Sequence, residues 1–240
     1  RTQNSELRTQ NSELRTQNSE LRTQNSEPRT VNFSISEIQQ KYDAGARAYN
    51  FTEVVPEWLG LGRVRRRLFE QAVGKVLETG IGTGFSLKYY PESIDLTAVD
   101  MSEGMLAIAR KRAATLSMSV DLQQMNVQEL QFADNSFDTV CDSLCLCTYP
   151  DPIKALKEMM RVCKPGGKLL LLEHGLSDRN WLQTYQHWRA EAQAKPLGCC
   201  WTREPQQLMQ KAGIHILSAR RHLLGMFHEV VAEPQSGESS

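Results

Sequence analysis

Three glycines follow a short apolar segment at every second position, and this spacing indicates a loop that holds a ligand. The segment is Val76-Leu-Glu-Thr-Gly-Ile-Gly-Thr-Gly84. Glycine lets the backbone turn tightly and approach a ligand, because it has no Cβ. A dinucleotide fingerprint, Gly-x-Gly-x-x-Gly, would need a glycine at position 85, where this chain has Phe85. The spacing therefore disfavours a nicotinamide dinucleotide, and Gly80, Gly82 and Gly84 are predicted to bind another cofactor.

Two acidic residues beside this loop indicate a cationic cofactor that contains a ribose. Glu78 ends the first predicted strand, where a carboxylate would repel a pyrophosphate but attract the charged amino-acid and sulfonium part of S-adenosylmethionine. Asp100 ends the second predicted strand, where it can accept hydrogen bonds from both ribose hydroxyls. Met101 would then lie beside the adenine ring, and Asn126 and Val127 near its exocyclic amine. S-adenosylmethionine is the predicted cofactor; a helix-capping role for Asp100 and a turn role for Asn126 are the alternatives.

Strand and helix patterns alternate along most of the chain and would position these residues. Two helices are predicted first, at 36–49 and 56–73. Strands are predicted at 75–79, 94–100, 120–125, 137–142, 168–173, 214–219 and 225–232. Helices are predicted between them near 85–90, 102–114, 151–163, 180–194 and 204–212. This alternation predicts an α/β fold, a mostly parallel sheet with helices on both faces, and the short last connection predicts a C-terminal antiparallel hairpin.

The N-terminal segment differs from the rest of the chain. Residues 1–28 are four copies of Arg-Thr-Gln-Asn-Ser-Glu-Leu, the last ending in Pro28. One leucine in seven residues gives no second apolar position for a coiled coil and too little apolar surface to offset the entropy of ordering. We therefore predict a disordered repeat tail over residues 1–30 and a folded domain over residues 34–235.

Composition excludes several classes of function. The formal net charge is zero, so the chain has no global field that concentrates a nucleic acid, and no nucleic-acid substrate is expected. No apolar run approaches the roughly 20 residues that span a bilayer. The six cysteines lack the paired Cys-x-x-Cys spacing of a zinc site. We therefore expect no metal, and buried reduced thiols in a reducing compartment, by default the cytoplasm.

Methyl transfer from a sulfonium is an in-line displacement with an activated leaving group. Positioning of donor and acceptor can supply most of the acceleration, so no catalytic base is required. Asp142 and His174, after the fourth and fifth strands, are predicted to face the acceptor. His174 could accept a proton from a phenol, amine or thiol, or could only hydrogen-bond a loop carbonyl. Tyr42 and Tyr49 share a predicted helix face, and either close over the sulfonium or pack as part of the core or a lid.

Two further helical stretches have alternative interpretations. Trp181, Tyr185 and Trp188 form a stripe that is typical of a core, although it could also form a wall of the acceptor pocket. The arginines of residues 63–67 lie near apolar residues on a predicted amphipathic helix, which could rest on anionic lipid as a peripheral membrane contact. An ordinary solvated helix face is the favoured alternative for this second stretch.

Four motifs together resemble the class I S-adenosylmethionine-dependent methyltransferases. They are Glu-x-Gly-x-Gly-x-Gly at 78–84, hydrophobic-Asp-x-Ser at 99–102, Asp-Asn-Ser-Phe-Asp at 134–138 and Lys-Pro-Gly-Gly at 164–167. The chain most resembles the branch that contains quinone-biosynthesis C-methyltransferases, bacterial-type phosphatidylethanolamine N-methyltransferases and thiol-methyltransferase-like proteins. The resemblance implies a Rossmann-like, seven-stranded sheet with S-adenosylmethionine across the carboxyl ends of its first strands.

The methyl acceptor stays open at this stage. The resemblance implies a small or lipid-like acceptor, and a phospholipid amine, a quinone precursor and a small thiol are not separable by these residues. A catalytically silent binding or assembly module is the alternative function. The oligomeric state is not indicated by the sequence.

Overall fold

The computed structural model describes residues 33–52 and 60–234, apart from the side chains of residues 47–52 and 197. The predicted disorder of the repeat tail therefore lies outside the described residues. The helices in these ranges are α1 Ile35–Thr52, α2 Gly62–Phe69, α3 Glu103–Thr115, α4 Pro152–Val162, α5 Asn180–Leu197 and α6 Pro205–Ala212. The strands are β1 Lys75–Thr79, β2 Asp95–Asp100, β3 Asp121–Gln124, β4 Phe137–Ser143, β5 Cys163–His174, β6 Ile214–His222 and β7 Phe227–Pro234.

The strands form a seven-stranded sheet in the order β3-β2-β1-β4-β5-β7-β6. The first five strands are parallel to one another, whereas β7 lies antiparallel between β5 and β6. The predicted mostly parallel sheet and its C-terminal hairpin are confirmed. The order of the strands reverses direction between β1 and β4. Strands β2 and β3 lie on one side of β1, whereas β4 and β5 lie on its other side. Open α/β sheets bind ligands at the carboxyl ends of strands at such a point.

Apolar residues cover both faces of the sheet. In β5, Leu169 and Leu171 pack on one face and Leu170 and Leu172 on the other, and all four are buried. Helices α4 and α6 contribute to the first face, and α2 and α3 to the second. A strand covered on both faces has an unbroken apolar sequence. Replacing one of these leucines with Ala would cost about 2–5 kcal/mol of stability.

Several helix and strand boundaries differ from the prediction. The helix expected near 85–90 is only a 3-10 turn, Leu87–Tyr89, because Tyr90 precedes Pro91 and is extended. The second helix ends at Phe69, so Val73 lies outside it and is exposed. Helix α4 starts as predicted, with the Asp151 side chain accepting a hydrogen bond from Lys154 N. Its buried residues are Ala155, Leu156, Met159 and Val162.

The aromatic stripe of α5 is exposed, contrary to the interpretation of it as core, and it is not among the residues that line the cleft described below. Trp181, Tyr185 and Trp188 are 66%, 46% and 75% exposed. The buried side chains of α5 include Leu182 and Gln186 instead. Helical periodicity identified one face of the helix but not the face that packs. Within the described ranges, no helix combines the length and the apolar character needed to cross a bilayer.

Candidate functional site

A cleft lies at the carboxyl ends of β1, β2 and β4, at the point where the strand order reverses. Its open space measures about 750 Å³. The lining comes from α1, the glycine loop, the end of β2 and the loop after β4: Ile38, Tyr42, Arg65, Glu78, Gly80, Ile81, Gly82, Thr83, Phe85, Ser86, Asp100, Met101, Met105, Met125, Val127, Ser143, Leu144, Cys145, Thr148 and Tyr149.

The three glycines of the loop have different surroundings. All have positive φ, which favours glycine. A Cβ at Gly80 would lie 2.4 Å from Cys145 Sγ, so this glycine lets the loop after β4 approach β1. A Cβ at Gly82 would meet open space, since the nearest atom is Gly80 O at 4.0 Å. Gly84 does not line the cleft, and a Cβ there would lie 3.3 Å from Ala109 Cβ of α3. Gly80 and Gly82 therefore shape the cleft, whereas Gly84 is needed for packing.

Asp100 joins the glycine loop to the start of α3. Its Oδ2 accepts a hydrogen bond from Gly82 N at 2.8 Å, and its Oδ1 accepts one from Ser102 N at 2.8 Å. Burial raises the pKa of this carboxyl to about 6, although the backbone donors act in the opposite direction. The side-chain cap of α3 is Ser102, whose Oγ accepts from Met105 N. Each oxygen of Asp100 keeps a further lone pair for a donor in the cleft.

Helix α1 covers one side of the cleft through Ile38 and Tyr42. It is attached to α3 by Asp43, whose Oδ1 accepts hydrogen bonds from Ser102 Oγ at 2.5 Å and Gly104 N at 3.1 Å. Burial, with nearby acidic and thiol groups, raises the pKa of the Tyr42 phenol, so this phenol stays protonated. No sequence pattern indicates this role for Asp43, because its partners lie about 60 residues away along the chain.

Glu78 is buried at the end of β1 and faces the cleft. Ser86 Oγ donates a hydrogen bond to Glu78 Oε2 at 2.8 Å. Burial raises the pKa of this carboxyl to about 8, although the hydrogen bond from Ser86 and the charge of Arg65 partly oppose the shift. Without a bound cation, Glu78 is therefore mostly protonated near neutral pH.

This pKa predicts a pH dependence of stability. The folded chain holds a proton on Glu78 up to about pH 8, whereas an unfolded chain releases it near pH 4.5. The free energy of unfolding should therefore fall as pH rises from about 4.5 to 8, by an amount on the order of 4 kcal/mol for this group alone. Urea unfolding from pH 5 to 8 should show a shallower decline for Glu78→Gln than for wild type. Exposed Glu92→Gln serves as the control, and parallel curves for Glu78→Gln and wild type would contradict the assignment.

Apolar side chains form the part of the cleft beyond Asp100. Met101, Met125 and Val127 line it. Met101 and Val127 were predicted to lie at the cofactor site. Asn126 does not line the cleft; its Oδ1 accepts a hydrogen bond from Gln128 N at 3.0 Å and caps the 3-10 turn Val127–Glu129. The structure therefore favours the turn role for Asn126. Opposite, Ser143 Oγ is buried without a hydrogen-bond partner among the described residues, and no sequence pattern indicated it.

Asp142 lies beneath the cleft, contrary to the prediction that it faces the acceptor. Its carboxyl is fully buried, and its Oδ1 accepts hydrogen bonds from Thr79 Oγ1 at 2.7 Å and Tyr149 OH at 2.8 Å. Glu173 is a buried neighbour, and burial beside Asp142 raises the pKa of Glu173 well above its usual value. Among the described residues, Glu173 is the neighbour whose proton could satisfy Asp142 Oδ2. Asp142 thus positions Tyr149, which does line the cleft.

His174 ends β5 and is half-buried, and it is not among the residues that line the cleft. Its Nε2 lies 3.3 Å from Cys199 Sγ. The pKa of the Cys199 thiol is lowered well below its usual value by a hydrogen bond from Cys147 and by the charges of His174 and Arg203. The structure therefore places His174 with two cysteines, a grouping that neither interpretation of this residue included. Tyr49 belongs to α1, but its side chain lies outside the described part of the structure.

The arginines of α2 are only partly exposed. Arg65 is buried and lines the cleft, and Arg67 Nε donates a hydrogen bond to Glu229 Oε1 at 3.1 Å. Arg66 lies over the Tyr89 ring, 5.7 Å from its centre. The side of α2 that includes Val64 and Leu68 packs into the core. Arg63 and Arg66 are therefore the exposed arginines of this helix that have no ion pair with a buried acid among the described residues.

The central part of the chain is similar in sequence to known methyltransferases. The family described as Methyltransferase domain (Methyltransf_11) matches residues 77–171, which include the glycine loop and Asp100. The chain is 38% identical to phosphatidylethanolamine N-methyltransferase of Cereibacter sphaeroides over 44% of this chain and 53% of that protein. It is 39% identical to demethylmenaquinone methyltransferase of Renibacterium salmoninarum over 57% of this chain and 58% of that protein.

The fold comparison agrees with the sequence relationship. A SAM-dependent methyltransferase from Thermotoga maritima superimposes with a TM-score of 0.62 at 23% identity, over 82% of this chain and 100% of that one. Residues 77–171 thus match a methyltransferase domain, and the predicted resemblance and fold are confirmed. The chain spans somewhat more than half the length of the curated relatives named above.

Proposed function

We propose that the chain transfers a methyl group from S-adenosylmethionine to a small or lipid-like acceptor. The observation that carries this proposal is the position of Asp100 at the point where the strand order reverses. Gly82 N and Ser102 N hold its carboxylate there, and its oxygens keep lone pairs for a ligand. Such a carboxylate suits a ligand with adjacent hydroxyl groups. The cofactor supplies an electrophilic methyl group on a sulfonium.

The residues of the cleft fit this cofactor. Asp100 would hold the ribose hydroxyls, and Glu78 would face the positively charged amino-acid end. Met101, Met125 and Val127 offer an apolar slot for a flat base. Ser143 Oγ is a buried polar atom at the cleft that a ligand would satisfy. A bound cation favours the ionised form of Glu78, so cofactor affinity is expected to rise with pH up to about 8.

The acceptor would enter beside α1 and the loop after β4. Ile38, Tyr42, Leu144 and Tyr149 line the cleft there. These side chains can orient an acceptor and exclude water, which is sufficient when the leaving group is already activated. Leu144 has a φ of +62° and so is held in a strained conformation, as is common at ligand sites. Tyr49, on the last turns of α1, stays our proposal for a further residue that closes over the acceptor.

The chemistry of the relatives supports an acceptor of this kind. Their names specify phosphatidylethanolamine and demethylmenaquinone, which are both lipid molecules with a reactive head. The zero net charge of this chain supports a small acceptor rather than a nucleic acid. The experiment below separates the two lipid acceptors, a phospholipid amine and a quinone precursor, from a small thiol.

The test is transfer of labelled methyl groups from S-adenosylmethionine to components of a cell extract, followed by partition into organic and aqueous phases. Asp100→Ala is run in parallel, and Asp95→Ala, at the exposed start of the same strand, is the matched control. We expect label in the organic phase with wild type and Asp95→Ala, but not with Asp100→Ala. Label only in the aqueous phase would assign a small soluble acceptor. Cofactor binding without transfer to any fraction would favour the silent module and overturn the proposal.

Peripheral contact with a membrane through residues 63–67 is a finer proposal. It is supported by the exposure of Arg63 and Arg66 on one helix. Binding to anionic vesicles should fall when both residues are replaced by Glu, and should persist in the matched control Lys111→Glu, on α3. Equal binding by wild type and the Arg63/Arg66 variant would remove this surface from the proposal.

A reducing compartment such as the cytoplasm is supported by the six cysteines, none of which forms a disulfide.

A further inference from the structure

Three side chains with metal-binding atoms meet beside the cleft. They are Cys147 in the loop after β4, His174 at the end of β5 and Cys199 after α5. Their Sγ and ring nitrogen atoms all lie within 4.8 Å of one another. Cys147 and Cys199 are buried, and His174 is half-buried. The cluster lies outside the set of residues that line the cleft.

The geometry of this cluster is close to that of a zinc site. In tetrahedral coordination with Zn–S of about 2.3 Å and Zn–N of about 2.0 Å, sulfur and nitrogen are about 3.5 Å apart, and two sulfurs about 3.8 Å. His174 Nε2 and Cys199 Sγ are 3.3 Å apart, and the third atom is within 4.8 Å of both. Small side-chain rotations would therefore complete the arrangement without movement of the backbone.

The backbone around the cluster is held in place by its own hydrogen bonds. Cys200 N donates to Cys147 O at 2.9 Å, which ties the segment after α5 to the loop after β4. Arg203 Nη1 donates to Tyr149 O at 2.8 Å and also to Leu146 O. Gly198, with a φ of +71°, makes the turn that directs Cys199 inward, and a Cβ there would overlap Ile38 of α1. The segments that carry Cys147 and Cys199 are thus fixed relative to one another by contacts independent of any ion.

We propose that Cys147, Cys199 and His174 bind a zinc ion, with the fourth coordination position left for water or an incoming ligand. Two thiolates and one imidazole match the donor preference of zinc, and three protein ligands are typical of zinc sites that keep an open position. Binding releases the thiol protons to solvent. The proposal does not depend on methyl transfer, because it concerns ligand atoms outside the cofactor cleft. Tyr42, which lines that cleft, lies within electrostatic reach of both cysteines, so the ion would border the acceptor end.

The first experiment measures metal binding by the whole chain under a phosphine reductant. Reduced protein is offered zinc, washed by gel filtration and analysed for metal, and cobalt is offered separately for visible and near-ultraviolet spectra. We expect about one zinc per chain, and cobalt bands typical of tetrahedral coordination with thiolate charge transfer. Cys147→Ser, Cys199→Ser and His174→Gln should each lower zinc affinity by on the order of 100-fold or more. Cys200→Ser, the neighbouring buried cysteine outside the cluster, should retain full affinity.

A second measurement uses the unaltered protein, so that a variant that fails to fold does not decide the result. Zinc should slow alkylation of Cys147 and Cys199 by about tenfold or more, with no change at Cys200, as read by mass spectrometry of peptides. Less than a tenth of a zinc ion per reduced chain would overturn the proposal. So would equal protection of Cys200, or a Cys147–Cys199 disulfide that forms on air oxidation in protein that binds no zinc.

Discussion

Replacing Asp100 with Ala is expected to weaken S-adenosylmethionine binding by about 100-fold or more. The variant lacks the carboxylate that would accept both ribose hydroxyls, and charge-assisted hydrogen bonds of this kind contribute about 1.5–3 kcal/mol each. It also loses the hydrogen bonds from Gly82 N and Ser102 N to this carboxylate. In the wild-type chain these bonds fix the glycine loop and the start of α3 against the same side chain. The measurement is the dissociation constant by titration calorimetry at neutral pH.

The control for this prediction is Asp95→Ala. Asp95 begins the same strand, but is exposed at the edge away from the cleft, so its replacement should leave affinity unchanged. The cofactor affinity of Asp100→Asn should lie between those of wild type and Asp100→Ala, because the amide keeps one acceptor atom. Equal affinity of wild type and Asp100→Ala for the cofactor would show that the ligand does not bind where the account places it.

Gly82→Ala is expected to lower cofactor affinity by about 10- to 100-fold, with only a modest loss of stability. Gly82 has a φ of +55°, so any side chain adds backbone strain of about 1–2 kcal/mol. Among the described residues, the atom nearest to a Cβ at this position is Gly80 O, at 4.0 Å. Since Gly82 lines the cleft, the Cβ would occupy open space there. The added methyl group therefore acts mainly against a ligand that approaches the loop. Calorimetry gives the affinity, and urea unfolding gives the stability.

Gly166→Ala is a closely matched control for Gly82→Ala. Gly166 also has a positive φ, +75°, and a Cβ there meets nothing within 4 Å, but it lies in the segment before Lys168, away from the cleft. Both variants should lose similar stability, whereas only Gly82→Ala should lose affinity. An equal loss of affinity in the two variants would mean that strain, and not occupation of the cleft, governs binding.

The sheet was predictable because each strand has a local signature in the sequence. β1 was predicted with its observed bounds, since an apolar run is followed at once by glycines. The hairpin followed from the short link between the last two strands. The positions of Gly80, Gly82 and Asp100 at the cleft were also predictable, because parallel strands all end at the same edge of the sheet.

The remaining differences arise from contacts between distant parts of the chain. Asp142 was placed at the correct strand end, but its direction depends on Thr79 and Tyr149, which the sequence does not pair with it. The exposed stripe of α5 shows the same limit, since periodicity alone does not identify the buried face. Cys147 and Cys199 are 52 residues apart, so no motif spacing could bring them to His174. Sequence patterns thus located the cofactor loop, whereas residues gathered by the tertiary fold were found only in the structure.

The most direct test of the central claim is calorimetric titration of the purified chain with S-adenosylhomocysteine and, separately, with NADH. The product analogue keeps the ribose, the base and the amino-acid end that Asp100, the apolar slot and Glu78 would hold. We predict saturable binding of one S-adenosylhomocysteine per chain and no measurable binding of NADH. Tight binding of NADH without binding of S-adenosylhomocysteine would contradict the assignment of the cleft and, with it, the proposed methyltransferase activity.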